Sequence, residues 1–188
     1  MSAIVYLHGF RSAPQSAKAT QLRLRMAARG LTELFWCEQL PVGAFEVIAL
    51  VESALARFES PTLVGSSLGG YYATWLAEKH GLRAVLINPA VIAPLSLAQY
   101  IGPQTNLYSG ETFAFTQAHV DALCMVEVGR IAEPKRYWLL AETGDELLDY
   151  RHAVAKYAGA RQTVLEGGDH SFTRWSDYLD EVIAFAEM

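Results

Sequence analysis

Residues 65–69 of the 188-residue chain read Gly-Ser-Ser-Leu-Gly, and this stretch decides the fold. It matches the pattern Gly-x-Ser-x-Gly, in which a strand turns sharply into a helix and exposes the middle serine. An apolar, strand-like run precedes it and a helix-like stretch follows. The pattern predicts Ser67 as a nucleophile, whereas Ser66 has bulkier residues, Val64 and Leu68, at the two positions where the turn needs small ones.

A serine hydroxyl becomes a good nucleophile only when a neighbouring base takes its proton. In this architecture the chain order is serine, acid, histidine. His170 fits the base best because it follows the strand-like residues 161–166 through two glycines and precedes a helical run. His80 and His152 fall in helical stretches, and His119 lies in an irregular middle segment where a substrate contact stays open.

The acid is expected on the loop after the penultimate strand. The strand-like residues 136–141 end shortly before Asp145, which we predict as the orienting carboxylate. It would accept the imidazole N–H, fix the tautomer that faces the serine, and stabilise the imidazolium. Glu142, Asp149 and Asp169 are the competing carboxylates nearby.

Acyl transfer also needs hydrogen-bond donors for the developing oxyanion. The residue after the nucleophile supplies one backbone N–H, here that of Leu68. The apolar strand 3–7 runs directly into His8-Gly9-Phe10, where the glycine lets the chain turn back toward the nucleophile. The N–H of Phe10 is therefore the predicted second donor.

Together these motifs resemble the α/β-hydrolase superfamily, and more narrowly the YqiA-like small bacterial esterases. The narrower resemblance is carried by residues 8–10 with 16–19, and by 64–74, 88–90, 143–150 and 166–172. These segments follow the family's order over nearly the whole chain. The resemblance implies an esterase fold with Ser67, Asp145 and His170 as its triad. Residues 106–110 read Asn-Leu-Tyr-Ser-Gly, where the family pattern would be Asn-Pro-Tyr-Thr-Gly.

Length and composition favour a single globular domain. Domains average about 150 residues, and a chain with 52% hydrophobic and 19% charged residues has enough apolar surface for a core. The net charge of −5 offers no basic surface, which argues against nucleic acid as a partner. Two cysteines are too few for a disulfide framework and lack metal-ligand spacing.

Targeting signals are not evident in the sequence. No basic region precedes the first apolar strand, so the N-terminus does not resemble a secretory signal. The most apolar later run, residues 84–101, is interrupted by Asn88, Pro89 and Pro94. We therefore expect a cytoplasmic protein without stable membrane association.

Strand-like and helix-like segments alternate along the chain. The expected strands are 3–7, 33–37, 61–65, 84–87, 135–141 and 161–166, and the expected helices are 14–29, 44–58, 68–80, 149–158 and 172–186. Such alternation predicts a mainly parallel sheet of about six strands covered by helices on both faces. The predicted fold is a three-layer α/β-hydrolase domain spanning residues 1–188.

Residues 89–134 break this alternation, because they contain aromatic residues but no clear strand. Insertions of this length are usually lids or binding loops, so we predict a small cap over the active site. Tyr71, Asn88 and Tyr100 are the expected substrate contacts. Tyr71 and Tyr72 follow the serine turn at helical spacing, so at least one of them should lie in the core.

The sequence thus predicts a serine hydrolase that cleaves carboxylic esters, or thioesters, through an acyl-enzyme intermediate. No metal or organic cofactor is required, and the partner is a small-molecule substrate. A thioesterase or acyltransferase using the same triad is the first alternative. A non-catalytic ligand-binding module on a hydrolase scaffold is the second, although such modules often lose a triad member. Acyl chain length, physiological substrate and oligomeric state, monomer or dimer, are left open.

Overall fold

The computed structural model describes residues 2–187. Its strands are β1 (Ile4–Leu7), β2 (Phe35–Trp36), β3 (Thr62–Ser66), β4 (Ala84–Ile87), β5 (Gly102–Thr105), β6 (Thr112–Phe115), β7 (Tyr137–Glu142) and β8 (Arg161–Leu165). Its α-helices are α1 (Ala17–Ala28), α2 (Ala44–Leu55), α3 (Leu68–His80), α4 (Ala93–Leu97), α5 (Gln117–Met125), α6 (Tyr150–Lys156) and α7 (Leu179–Glu187).

Six strands form one parallel sheet in the order β2-β1-β3-β4-β7-β8. Every residue of the four central strands is buried, as expected for strands that are covered on both faces. The edge strand β8 is partly exposed. The predicted three-layer α/β fold is confirmed, because helices cover the two faces of this sheet.

Alternating side chains of each strand enter two separate cores. In β1, Val5 and Leu7 pack on the face covered by α2 and α3, whereas Ile4 and Tyr6 pack on the face covered by α1 and α7. This is the two-residue period of a strand. The same arrangement places the carboxyl ends of all central strands along one edge of the sheet, where the predicted site residues follow them.

The segment between β4 and β7 contains more regular structure than the sequence indicated. Beyond α4, strands β5 and β6 form an antiparallel hairpin, and α5 follows. The expectation of no clear strand here was wrong. The residues of β5 alternate between half-buried and exposed, and Gly102 and Pro103 conceal the usual strand signal.

This segment packs as part of the domain. Phe115 and Leu123 are buried in the same core as α2 and α3. At the hairpin turn, the Leu107 N–H donates to the Arg11 carbonyl at 2.8 Å, and Asn106 Nδ2 donates to the Ser12 carbonyl at 2.9 Å. The hairpin is therefore joined to the loop that follows β1.

The expected last helix, 172–186, begins as a 3-10 helix, Thr173–Tyr178, before α7. Across residues 2–187, no helix combines the length and the apolar character needed to cross a membrane.

Candidate active site

Ser67 lies at the turn between β3 and α3 in a strained backbone conformation, with φ 55° and ψ −122°. Non-glycine residues rarely adopt positive φ, and such strain is typical of functional sites. The glycines around it permit the turn. A Cβ on Gly65 would lie 2.4 Å from the Gly69 carbonyl oxygen, and one on Gly69 would lie 2.0 Å from the Leu7 carbonyl oxygen.

The three predicted triad residues meet above the carboxyl ends of β3, β7 and β8. The Nε2 atom of His170 lies 3.1 Å from the Oγ atom of Ser67. On the other side of the ring, Nδ1 lies 2.9 and 3.0 Å from the two carboxylate oxygens of Asp145. The imidazole therefore bridges the hydroxyl and the carboxylate, the geometry by which such a ring takes a proton from serine.

Backbone groups hold the carboxylate of Asp145, whose side chain is only 2% exposed. Its Oδ1 atom accepts hydrogen bonds from the N–H groups of Leu147 and Leu148, each at 2.9 Å. These bonds give the buried carboxylate oxygen two hydrogen-bond donors. They also fix the carboxylate orientation before any imidazolium forms.

The loops that carry Asp145 and His170 are joined to each other. The Gly144 N–H donates to the Gly167 carbonyl at 2.8 Å, and a Cβ on Gly144 would lie 2.4 Å from the Gly168 carbonyl oxygen. The His170 N–H donates to Glu146, which lowers the pKa of that carboxyl. Acid and base are thus positioned as one unit.

The predicted oxyanion donors lie on the two segments next to Ser67, Leu68 directly after it and Phe10 on the loop that contacts it. Within residues 2–187, no acceptor bonds the N–H of Phe10 or that of Leu68. The loop before Phe10 lies directly against Ser67, since a Cβ on Gly9 would be 3.2 Å from the Ser67 Cβ atom. Two backbone donors beside a serine Oγ form the arrangement that stabilises a tetrahedral oxyanion.

An apolar cleft of about 230 Å³ opens beside Ser67. Besides Ser67 and His170, its wall contains the apolar or aromatic residues Phe10, Leu68, Ala90, Leu97, Tyr100, Leu107, Leu147 and Leu148, and the polar residues Arg11, Ser96 and Gln99. Most of this surface is apolar. Such a wall fits a hydrocarbon chain.

Two of the three expected substrate contacts need correction. Tyr71 is buried, and its hydroxyl donates to the Leu123 carbonyl at 2.8 Å, so it joins α3 to α5. Asn88 is also buried and bonds only backbone groups. Tyr100 alone lines the apolar cleft.

The amide of Asn88 connects three strand ends. Its Oδ1 atom accepts from the Glu142 N–H at 2.9 Å, and Nδ2 donates to the carbonyls of Asp169 and His170 at 3.0 and 3.2 Å. Asn88 has a positive φ of 39°, which asparagine tolerates better than most residues. It therefore positions the histidine loop.

The competing side chains have other partners. Glu142 is fully buried, accepts from the Asp169 N–H and pairs with Arg174 at 2.7 Å, so it stabilises the loop that carries His170.

The other candidates lie at or on helices. Asp149 caps α6 through the Arg151 N–H. His119 forms a capping box with Thr116 at the start of α5. His80 and His152 lie on helices, near Glu52 and Asp149 respectively.

The support from Glu142 and Arg174 was missed in the sequence. Glu142 entered only as a competitor for the acid position, and Arg174 carried no recognisable pattern. Their pairing depends on a contact between residues 32 positions apart, which no local motif reports.

Solved structures with this architecture are α/β hydrolases, esterases and lipases. A protein from Agrobacterium vitis S4, named as a candidate hydrolase, aligns at 21% identity and a TM-score of 0.75, covering 98% of this chain and 88% of that one. The mouse alpha/beta hydrolase domain-containing protein 10 aligns at 16% identity and a TM-score of 0.72, covering 97% of this chain and 89% of that one. Monoacylglycerol lipase from Paleococcus ferrophilus aligns at 16% identity and a TM-score of 0.71, covering 97% of this chain and 93% of that one. The fold is that of the α/β hydrolases.

Residues 3–187 match the model of the uncharacterised protein family UPF0227. The chain belongs to this family, the YqiA-like branch that the sequence motifs indicated.

Proposed function

We propose that this chain is a serine hydrolase that cleaves carboxylic esters through an acyl-enzyme intermediate. The observation that carries the proposal is the imidazole of His170, in hydrogen-bond contact with both the Ser67 hydroxyl and the Asp145 carboxylate. The N–H groups of Phe10 and Leu68, which have no acceptor in the described part of the chain, support it.

In the first half of the reaction, His170 Nε2 takes the proton of Ser67 as its Oγ attacks the ester carbonyl carbon. The carbonyl oxygen becomes an oxyanion and accepts from the N–H groups of Phe10 and Leu68. Asp145 stabilises the imidazolium. As the tetrahedral intermediate collapses, His170 returns the proton to the departing alcohol oxygen.

In the second half, His170 deprotonates a water molecule that attacks the acyl-enzyme. The same two amides hold the new oxyanion, and collapse releases the carboxylic acid while Ser67 regains its proton. The apolar cleft with Tyr100 on its wall accommodates the acyl chain. A small-molecule ester is therefore the proposed substrate.

Hydrolysis of p-nitrophenyl butanoate by purified variants tests this assignment. Ser67→Ala should lower kcat by roughly 10³-fold or more, the loss seen when a triad member is removed. Ser66→Ala is the matched control, since it alters the neighbouring serine on the same turn and should keep most of the activity. Full activity in Ser67→Ala, with loss in Ser66→Ala, would refute the assignment of the nucleophile.

A further inference from the structure

A second cleft, of about 380 Å³, opens on another side of Ser67 and has a different chemistry from the apolar one. Beyond Ser67 and His170, its polar side chains include Tyr6, Ser12, Ser16, Lys18 and Gln21. Part of this wall comes from residues 16–18, a segment to which the reaction at Ser67 gives no role. We define this surface as the polar cleft.

Two hydroxyl groups in the wall of the polar cleft have no hydrogen-bond partner among residues 2–187. They are Tyr6 Oη and Ser16 Oγ, in residues that are 0% and 7% exposed. The Ser66 hydroxyl lies close to the phenol and lowers the pKa of Tyr6, but the two groups do not reach hydrogen-bond geometry. Because a buried hydroxyl without a partner is costly, these two groups point to a ligand.

The phenol of Tyr6 can donate a hydrogen bond to such a ligand. Burial raises the pKa of Tyr6 far above its ordinary value, so the group stays protonated at neutral pH. A protonated phenol is a hydrogen-bond donor. The Ser16 hydroxyl is a second neutral donor in the same wall.

Lys18 adds a donor with a positive charge. Its Nζ atom donates to the Ser171 carbonyl at 2.6 Å, beside the predicted catalytic histidine, and an ammonium has two further hydrogens. Burial lowers the pKa of Lys18, while Asp169, Glu142 and Asp145 oppose this effect and favour the charged form. None of the carboxylates in residues 2–187 lines the polar cleft itself.

We infer that the polar cleft binds an anionic oxygen group, a carboxylate or a phosphate, carried by the alcohol portion of the ester. Tyr6, Ser16 and Lys18 donate to its oxygens, while the acyl chain occupies the apolar cleft. This inference rests on the proposed function. Hydrolysis then releases a carboxylic acid and an alcohol that bears the anionic group, with the proton from His170 on the alcohol oxygen.

Three butanoate esters of similar size test the inference. The neutral one is glycerol 1-butanoate, and the anionic ones are its 3-phosphate and 3-O-butanoylglycerate. A charge-assisted contact should make kcat/KM of the wild type about tenfold higher for at least one anionic ester than for the neutral ester. Comparison of the two anionic esters shows whether phosphate or carboxylate is preferred.

Substitutions in the polar cleft test which side chains cause the preference for anionic esters. Lys18→Met should remove most of it while glycerol 1-butanoate is still hydrolysed, and Lys18→Arg should retain part of it. Tyr6→Phe and Ser16→Ala each remove one hydroxyl and should reduce the preference several-fold. Lys135→Met removes a lysine exposed before β7 and should leave the preference unchanged.

Equal kcat/KM values for the three esters in the wild type would overturn the inference. It would also be overturned if Lys18→Met slowed all three equally, because that is the result expected of a lysine that only fixes the histidine loop. Either result leaves the proposed ester hydrolysis intact. Failure of the wild type to hydrolyse any of the three, and p-nitrophenyl butanoate as well, would instead contradict the proposed function.

Discussion

His8 holds the loop that carries Phe10 through both of its ring nitrogens. Its Nε2 atom accepts from the Leu40 N–H at 3.1 Å, so the neutral ring donates from Nδ1 to the Gly9 carbonyl at 3.0 Å. Burial lowers the pKa of His8. Protonation would add a hydrogen to Nε2, which could then no longer accept the hydrogen bond from Leu40.

This arrangement predicts a pH dependence of stability. In the unfolded chain His8 binds a proton below about pH 6.5, whereas in the folded chain its pKa is lower. The free energy of unfolding therefore falls as the pH decreases from about 6.5 toward the pKa of the folded state. His8→Gln keeps an acceptor without the titration. Urea unfolding at pH values of about 7.5 and 5.5 should show a smaller loss in the variant, and equal losses would contradict the prediction.

Asn88 is expected to affect the rate of the reaction more than substrate binding. Asn88→Ala leaves one buried and two partly buried backbone groups without their partners, which should cost about 1–3 kcal/mol of stability. The His170 loop loses its connection to β4. We expect kcat to fall at least several-fold with little change in KM in steady-state ester hydrolysis, and a change confined to KM would show that Asn88 contacts substrate.

That Ser67, Asp145 and His170 would meet could be predicted from the sequence, because each follows a recognisable strand in a fixed order. The roles of Tyr71 and Asn88 could not. Both side chains bond to partners more than 50 positions away: Leu123 for Tyr71, and Glu142, Asp169 and His170 for Asn88. A polar residue near a site looks the same in sequence whether it faces substrate or backbone.

At the scale of elements, the close contact between α3 and β1 depends on Gly69. A methyl group there would meet the Leu7 carbonyl oxygen at 2.0 Å, which neither element can avoid without moving. Gly69→Ala should therefore lower the free energy of unfolding by about 1–3 kcal/mol, the usual cost of overpacking, and reduce ester hydrolysis because Ser67 begins the same helix.

Gly129→Ala is the matched control for this substitution. Among the residues that the structure describes, no atom other than those of the chain neighbours lies within 4 Å of a methyl group placed on Gly129. The φ of Gly129 is not positive, so alanine fits its backbone conformation. The unfolding midpoint of this variant in urea should stay close to that of the wild type. Similar losses in both variants would show that the contact with Leu7 is not the cause.

The elements of the sheet could be predicted because buried parallel strands are short apolar runs and the covering helices have a 3.6-residue period. The hairpin of β5 and β6 could not. It lies outside the main sheet, and its turn is held by contacts of Asn106 and Leu107 with the distant loop at Arg11 and Ser12.

At the scale of the whole molecule, residues 89–134 share a core with the sheet. Phe115, Val120 and Leu123 pack in the same cluster as Leu76 and Leu139. We therefore expect one cooperative unfolding transition, with coincident urea curves from far-UV circular dichroism and tryptophan fluorescence. Proteolytic cleavage within residues 102–115 well before global unfolding would show that the insertion is a separate unit.

Covalent labelling decides whether Ser67 is the nucleophile that His170 activates. The protein is treated with a fluorophosphonate and analysed by mass spectrometry, with fragmentation of the peptide that contains both Ser66 and Ser67. We expect one adduct, located on Ser67, that forms much more slowly in His170→Ala. An adduct on another serine, or labelling of Ser67 at an unchanged rate in His170→Ala, would refute the proposed function of Ser67.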